Sequence, residues 1–224
     1  MFYFDPLFCL FAVPGFLLAL WAQSQVKSAY AKYTKVRNSH GMTGLQAANV
    51  LMGGLGLSLN VEGTPGQLSD HYDPRSKTLR LSQGVAQQPS VASIAIVAHE
   101  LGHAMQDKTG YAPLKLRGAI VPAVRLSPLV SYFLFIFGFA MQNPTLVNVG
   151  ILVFSISVVF SLITLPVEFD ASRRGLKMIQ SYQLLDTQEM QGAQAVLRAA
   201  ALTYVAAAVQ SVMTLLFYIS RSRR

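Results

Sequence analysis

Residues 92–107 read ASIAIVAHELGHAMQD, and within them His99-Glu100-Leu101-Gly102-His103 is an HExxH motif. On an α-helix, residues four apart lie one turn above each other, so His99 and His103 can aim imidazole nitrogens at one Zn²⁺. Glu100 then stands beside the metal, placed to take a proton from a coordinated water whose pKa the metal lowers towards neutrality. A helix is the expected conformation: Val91–Ala98 is small and apolar, no Gly or Pro intervenes before Gly102, and Pro89-Ser90 supplies a start and a cap. The competing reading is two stray histidines on a buried helix. Against it, the chain has only four histidines, and two of them fall in this motif.

Composition points to a membrane. The 224 residues are 52% hydrophobic and 12% charged, about half the charged fraction usual in soluble domains. The single cysteine, Cys9, excludes an internal disulfide framework and a cysteine-based zinc site, which leaves histidine and carboxylate as ligands. The net charge of +8 does not point to nucleic acid, because no basic cluster is interleaved with aromatic residues. Basic residues that set membrane orientation account for it better.

Taken from the N-terminus, residues 2–22 are an apolar run broken only by Asp5, Pro6 and Pro14, long enough to cross a bilayer. A cleaved signal peptide would need a basic start and a small-residue cleavage site, and neither is present, so a retained anchor is expected. Lys27, Lys32, Lys35 and Arg37 follow it directly. By the positive-inside rule the N-terminus is expected outside and the next segment in the cytoplasm. Residues 23–117 form the polar part, with Thr43–Leu55 expected as an amphipathic helix ending at Gly53-Gly54 and packing against the motif helix. Ser69–Ser82 alternates around Asp73-Pro74 and is expected to be a short hairpin. Leu79–Ser82 is the candidate edge strand that would hold an extended substrate by backbone hydrogen bonds, an ordinary core-covering strand being the alternative.

Several separate segments together resemble one family. His40-Gly-Met-Thr-Gly, Ser69-Asp-His-Tyr-Asp-Pro-Arg, Leu79-Arg-Leu-Ser, Ala98-His-Glu-Leu-Gly-His-Ala-Met-Gln and Pro166-Val-Glu-Phe-Asp-Ala-Ser are similar, in order, to the YugP-like neutral zinc metallopeptidases of bacterial membranes. The resemblance runs over most of the chain and implies a membrane zinc peptidase.

A catalytic zinc usually takes three protein ligands and keeps one position open. A metzincin is excluded, because position 109 is Thr109 and position 106 is Gln106 rather than glycine. Residues 119–165 read as a transmembrane hairpin: Ala119–Met141 is apolar apart from Arg125, Thr145–Leu165 is apolar throughout, and the uncharged Gln142-Asn143-Pro144 joins them. Pro122 and Pro128 would kink its first arm, and Arg125 can snorkel. Glu168 is the best candidate third ligand: in the resemblance the glutamate of the Pro-Val-Glu-Phe segment fills this place, and two crossings between His103 and Glu168 would return the chain to the side it left, in agreement with it. The alternative for Glu168 is a surface carboxylate beside Arg173 and Arg174. In glutamate-zincins an aspartate often follows this glutamate by four residues to hold a ligand histidine. Here that position is Ser172, and Asp170, two residues on, is expected on the opposite face unless the helix begins later.

His71, Tyr72 and Tyr182 are candidates to stabilise the oxyanion, with His71 preferred because the Asp-His-Tyr-Asp-Pro segment matches as a block. Residues 166–198 carry the third-ligand helix and a polar segment with a loop at Tyr182–Glu189. Residues 199–220 form a last apolar helix, spanning or packed; a crossing there would put Arg221-Ser-Arg-Arg outside, against the charge rule.

The expected fold class is a predominantly α-helical integral membrane protein with a small α+β zincin-like metallopeptidase domain. The expected protein is a multi-pass membrane zinc endopeptidase of a bacterial plasma membrane, with its site on the cytoplasmic side. His99, His103 and Glu168 would hold one catalytic Zn²⁺, Glu100 would act as base and acid, and the partners would be protein or peptide substrates and the lipid bilayer. Two other readings stand beside it. A site-two-like intramembrane protease needs the motif inside a span, and only about eight apolar residues precede His99, too few to cross alone. A non-catalytic zinc-binding scaffold needs a fourth closing ligand, for which the chain has no cysteine and no obvious third histidine.

Overall fold

The computed structural model describes residues 6–223. Residues 2–5 of the expected anchor, Asp5 among them, and Arg224 of the basic tail lie outside the described residues. In chain order the elements are α1 (Pro6–Tyr33), α2 (Gly44–Leu55), β1 (Asn60–Thr64), β2 (His71–Asp73), β3 (Thr78–Ser82) and α3 (Gln83–Gln87). They continue with α4 (Val91–Lys108), α5 (Ala112–Ala140), α6 (Pro144–Ser181) and α7 (Thr187–Ser222). By length and composition α1, α5, α6 and α7 are each apolar enough to cross a membrane. The protein is therefore a predominantly α-helical membrane protein with a small α+β part. It divides into two compact units, one of Met1–Gln23, Ala112–Pro166 and Leu202–Arg224, the other of Ser24–Tyr111 and Val167–Ala201.

In the first unit α5 and α6 form a hairpin. Asn143 closes it by accepting the Thr145 and Leu146 N–H groups on its Oδ1, at 3.0 and 3.3 Å, which satisfies the exposed donors at the start of α6. The arms meet closely because Gly138 and Gly150 have no side chain: a Cβ on Gly138 would lie 2.8 Å from the Val147 side chain, and one on Gly150 3.1 Å from the Phe135 ring. Ser127 and Ser157 hydrogen-bond to each other at 2.8 Å across the arms, so these hydroxyls find partners without water. Leu126, Leu129, Phe133, Ile136, Phe137 and Leu152 are exposed, as a surface solvated by lipid tails requires.

The second unit has its own core. Leu51, Leu79, Leu81, Ile94, Leu101 and Ile179, from α2, the sheet, α4 and α6, are fully enclosed. Burying each contributes about 1.5–3 kcal/mol. Thr43 starts α2 with a capping box, its hydroxyl accepting from Gln46 N and Gln46 Oε1 accepting from Thr43 N. The helix ends at Leu55, as expected, just past Gly53-Gly54, and Gly56 closes it with φ +59°. Gly54 serves packing, since a Cβ there would lie 2.2 Å from the Tyr182 ring.

The expected hairpin is present as β2 and β3, paired antiparallel with His71 opposite Arg80 and Asp73 opposite Thr78. Asp73 holds the turn, its carboxylate accepting from Arg75 N at 2.9 Å and Ser76 Oγ at 2.9 Å. These bonds hold its carboxyl down to about 2. The strand order, however, is β1-β3-β2, with β1 parallel to β3. The strand carrying Leu79–Ser82 is therefore central rather than an edge: β1 pairs along all of Thr78–Ser82 and β2 along Thr78–Arg80. That corrects the expectation for this strand and makes β2 an edge.

Ser90 caps α4 through its Oγ, which accepts from Ser93 N at 3.1 Å. The helix then crosses α6 at two glycines. A Cβ on Gly102 would lie 2.4 Å from the Ala171 carbonyl oxygen, and one on Gly175 2.9 Å from the Ala98 carbonyl group. Backbone meets backbone here, so no rotamer change can relieve a methyl. Gly102→Ala is expected to cost about 1–3 kcal/mol through overpacking and to push α6 away from the histidines. The check is a lower Tm together with weaker zinc binding; an unchanged Tm would refute the tight crossing.

Candidate metal centre

His99 and His103 stand one turn apart on α4, with ring centroids 4.8 Å apart. The α4–α6 crossing at Gly102 and Gly175 brings Glu168 to them from α6: its Oε2 lies 3.3 Å from His99 Nε2 and 3.5 Å from His103 Nε2. One ligand atom from each of the three residues falls within 4.8 Å of the others, and Glu168 is almost fully buried. A tetrahedral zinc with bonds of about 2.0–2.1 Å spaces its ligand atoms by about 3.3–3.4 Å, which the two distances from Glu168 Oε2 match.

The outer face of each imidazole is also provided for. His99 Nδ1 lies 3.1 Å from Ser172 Oγ, and His103 Nδ1 lies 3.0 Å from Gln106 Oε1. With hydrogen on Nδ1, both Nε2 lone pairs point at the same place as the Glu168 carboxylate. Three lone-pair donors facing one another repel unless a cation lies among them, so the donor set fits a divalent metal.

Glu100 lies beside the pair and is buried, its Oε2 accepting from the Tyr72 N–H of β2 at 2.9 Å. Burial pushes its carboxyl above the ordinary range, against the pull of His99 and His103. Burial alone would lower His103, but Glu168 and Glu100 outweigh it and hold the imidazole above its usual value. A metal and a proton thus compete for the same Nε2 lone pair.

The candidates for oxyanion stabilisation are spread out. His71 opens β2, is exposed, and has its Nδ1 2.8 Å from the Ser69 carbonyl oxygen. The Tyr72 hydroxyl donates to Asp107 Oδ2 at 2.6 Å, and burial followed by this bond raises its pKa well above that of a free tyrosine. Tyr182 lines a cavity of about 210 Å³ together with Leu55, Met105 and Met178.

Ser172 stands where glutamate-zincins often carry an aspartate, and it reaches His99. Asp170 contacts no ligand histidine directly; its Oδ2 accepts from Gln106 Nε2 at 3.0 Å. In the sequence Gln106 marks only the absence of a metzincin glycine. Its position three residues after His103, on the same helix face, is the signal that could have identified it. The Tyr72 backbone contact has no counterpart in the sequence, because any residue type other than proline supplies the same N–H.

A family model described as "Putative neutral zinc metallopeptidase" matches residues 8–223. The "Putative membrane protease YugP" of Bacillus subtilis (strain 168) is 42% identical over 214 residues, covering 95% of this chain and 95% of that protein. No solved structure matches the chain. With the match running from the first long apolar helix to the last, the chain belongs to the family described as "putative neutral zinc metallopeptidase".

Proposed function

We propose that this protein is a membrane-bound zinc endopeptidase in which His99, His103 and Glu168 hold one zinc ion and Glu100 moves the protons. The observation that carries the reading is the convergence of two imidazole Nε2 atoms and one buried carboxylate, at 3.3 and 3.5 Å, beside a second buried carboxylate. Bound zinc supplies a Lewis acid for the scissile carbonyl and lowers the pKa of water towards neutrality. Glu100 takes the proton of the attacking water and passes it to the leaving amine. The Tyr72 N–H orients the Glu100 carboxylate through the 2.9 Å bond to Oε2.

The edge of β2 that faces away from β3 turns the Tyr72 N–H towards Glu100. An extended peptide laid along this edge would bring its backbone next to the base, so β2 takes the substrate-holding role that the sequence suggests for Leu79–Ser82. Lys27, Lys32, Lys35 and Arg37 support a cytoplasmic position of the polar unit at a plasma membrane by the positive-inside rule. Glu168 follows the apolar run ending at Leu165 by three residues on the same helix, which favours membrane or membrane-associated proteins as substrates. The intramembrane alternative loses support because α4 is not among the four helices apolar enough to cross.

The test is metal content and casein hydrolysis of the detergent-purified protein, before and after chelator treatment. About one zinc per chain is expected, with activity lost on chelation and restored by zinc. Zinc bound at that ratio without hydrolysis of casein or of membrane-protein substrates would favour the scaffold reading; no bound zinc would end both.

A further inference from the structure

We infer that Gln106 is a positioning residue that presets the protonation pattern of His103 and couples it to the helix carrying Glu168. The inference rests on the metal-binding reading above. Gln106 is fully buried and its side-chain amide meets three partners. At one end are the Val167 carbonyl oxygen at 2.7 Å and Asp170 Oδ2 at 3.0 Å; at the other is His103 Nδ1 at 3.0 Å.

A glutamine amide has one oxygen, which only accepts, and one NH₂, which only donates, and the partners decide which end is which. A carbonyl oxygen accepts only. Asp170 also accepts, as a carboxylate that takes hydrogen bonds from Arg173 and, at 2.5 Å, from Arg174 Nε. The end of Gln106 facing both must be the NH₂. Its oxygen then faces His103, and an oxygen there requires hydrogen on Nδ1. A neutral imidazole carries one N–H, so His103 Nε2 is left with a bare lone pair directed towards Glu168 and the metal position.

His99 is treated differently. Ser172 Oγ can donate or accept, so it suits either tautomer of the ring 3.1 Å away. The two histidines of the motif are therefore not equivalent: one is preset by its surroundings and the other adapts. Gln106 also makes a mechanical link. Val167 precedes Glu168 in the chain, so one buried side chain ties a histidine of α4 to the backbone next to the carboxylate on α6. Asp170 acts through Gln106, and the two arginines keep it charged.

The test is the zinc dissociation constant of the full-length protein in detergent, measured by chelator competition, with Tm alongside. Gln106→Met keeps the volume and removes the lock; it is expected to weaken zinc about 10–100-fold, the range for lost outer partners of ligand histidines. Ser172→Ala is expected to lose less than Gln106→Met. Gln106→Glu alone sets two buried carboxylates against each other and weakens binding. Combining it with Asp170→Asn returns an N–H donor to the introduced carboxylate, with the polarity of the original pair reversed. The introduced carboxylate still meets the Val167 carbonyl oxygen, so affinity is expected to recover only part of what the single variant loses, a coupling expected of residues in contact.

A purely space-filling Gln106 predicts the opposite: Met tolerated and the double variant no better than the single. Either result overturns the inference, and if Gln106→Met fails to fold, the Glu/Asn exchange decides alone. Should the wild type bind no zinc, the metal-site reading falls and this inference with it. Zinc bound by the wild type and equally by Gln106→Met would refute the positioning role only.

Discussion

Replacing Glu100 by glutamine is expected to slow peptide hydrolysis about 10²–10⁴-fold, the usual range for loss of a general acid–base, while zinc stays bound. Glutamine has nearly the same shape as glutamate, and its oxygen can still accept the Tyr72 N–H that now reaches Oε2 at 2.9 Å. The backbone of β2 and the packing around this buried position are therefore retained. What is lost is the ability to take a proton from water and return it to the leaving amine. None of the three metal-facing atoms belongs to Glu100, so zinc content serves as the internal control. A rate within a few-fold of wild type would place the base elsewhere. Loss of zinc in this variant would mean that Glu100 contributes to the metal set itself.

Glu168→Ala is expected to weaken zinc by more than about 100-fold, beyond the ceiling for residues that act on a metal through another ligand. Removing it leaves two histidines on one helix face, with a void where α6 had supplied the carboxylate. The α4–α6 crossing does not depend on this side chain, because it is set by Gly102 against Ala171 and Gly175 against Ala98. Tm of the metal-free protein should accordingly change little. Glu168→Gln keeps one neutral oxygen donor and is expected to fall between the two. Metal analysis of all three proteins at matched zinc activity checks this; unchanged zinc in Glu168→Ala would remove Glu168 from the ligand set.

How much is legible in advance follows from how local each feature is. The helix that aligns His99 with His103 can be read directly, since it depends on a four-residue spacing, a short apolar run and a serine cap. Hydropathy in the same way marks the long apolar helices, because passage through lipid is a property of one segment at a time. Glu168, far along the chain from His103, is suggested by the family resemblance, and the two crossings expected between them agree with it. The structure brings its carboxylate to both imidazoles.

Other features depend on how separate elements pack. Leu79–Ser82 looks like an edge while only its hairpin partner is in view. The parallel pairing of β1 makes it central, and strand order is a non-local property that alternation cannot encode. Asp170 is expected from helical spacing to face away from the centre, and Gln106 reads only as the wrong residue for another class. Both become meaningful once two glycines let α4 and α6 approach closely enough for the Gln106 amide to span them. The sequence by itself determined the membrane class, the motif helix and the candidate donors, because each follows from residue type and spacing along one segment. Only the tertiary structure decided the strand that lies beside Glu100 and the partners that orient the two imidazoles, because a hydrogen bond between elements depends on where their backbones cross.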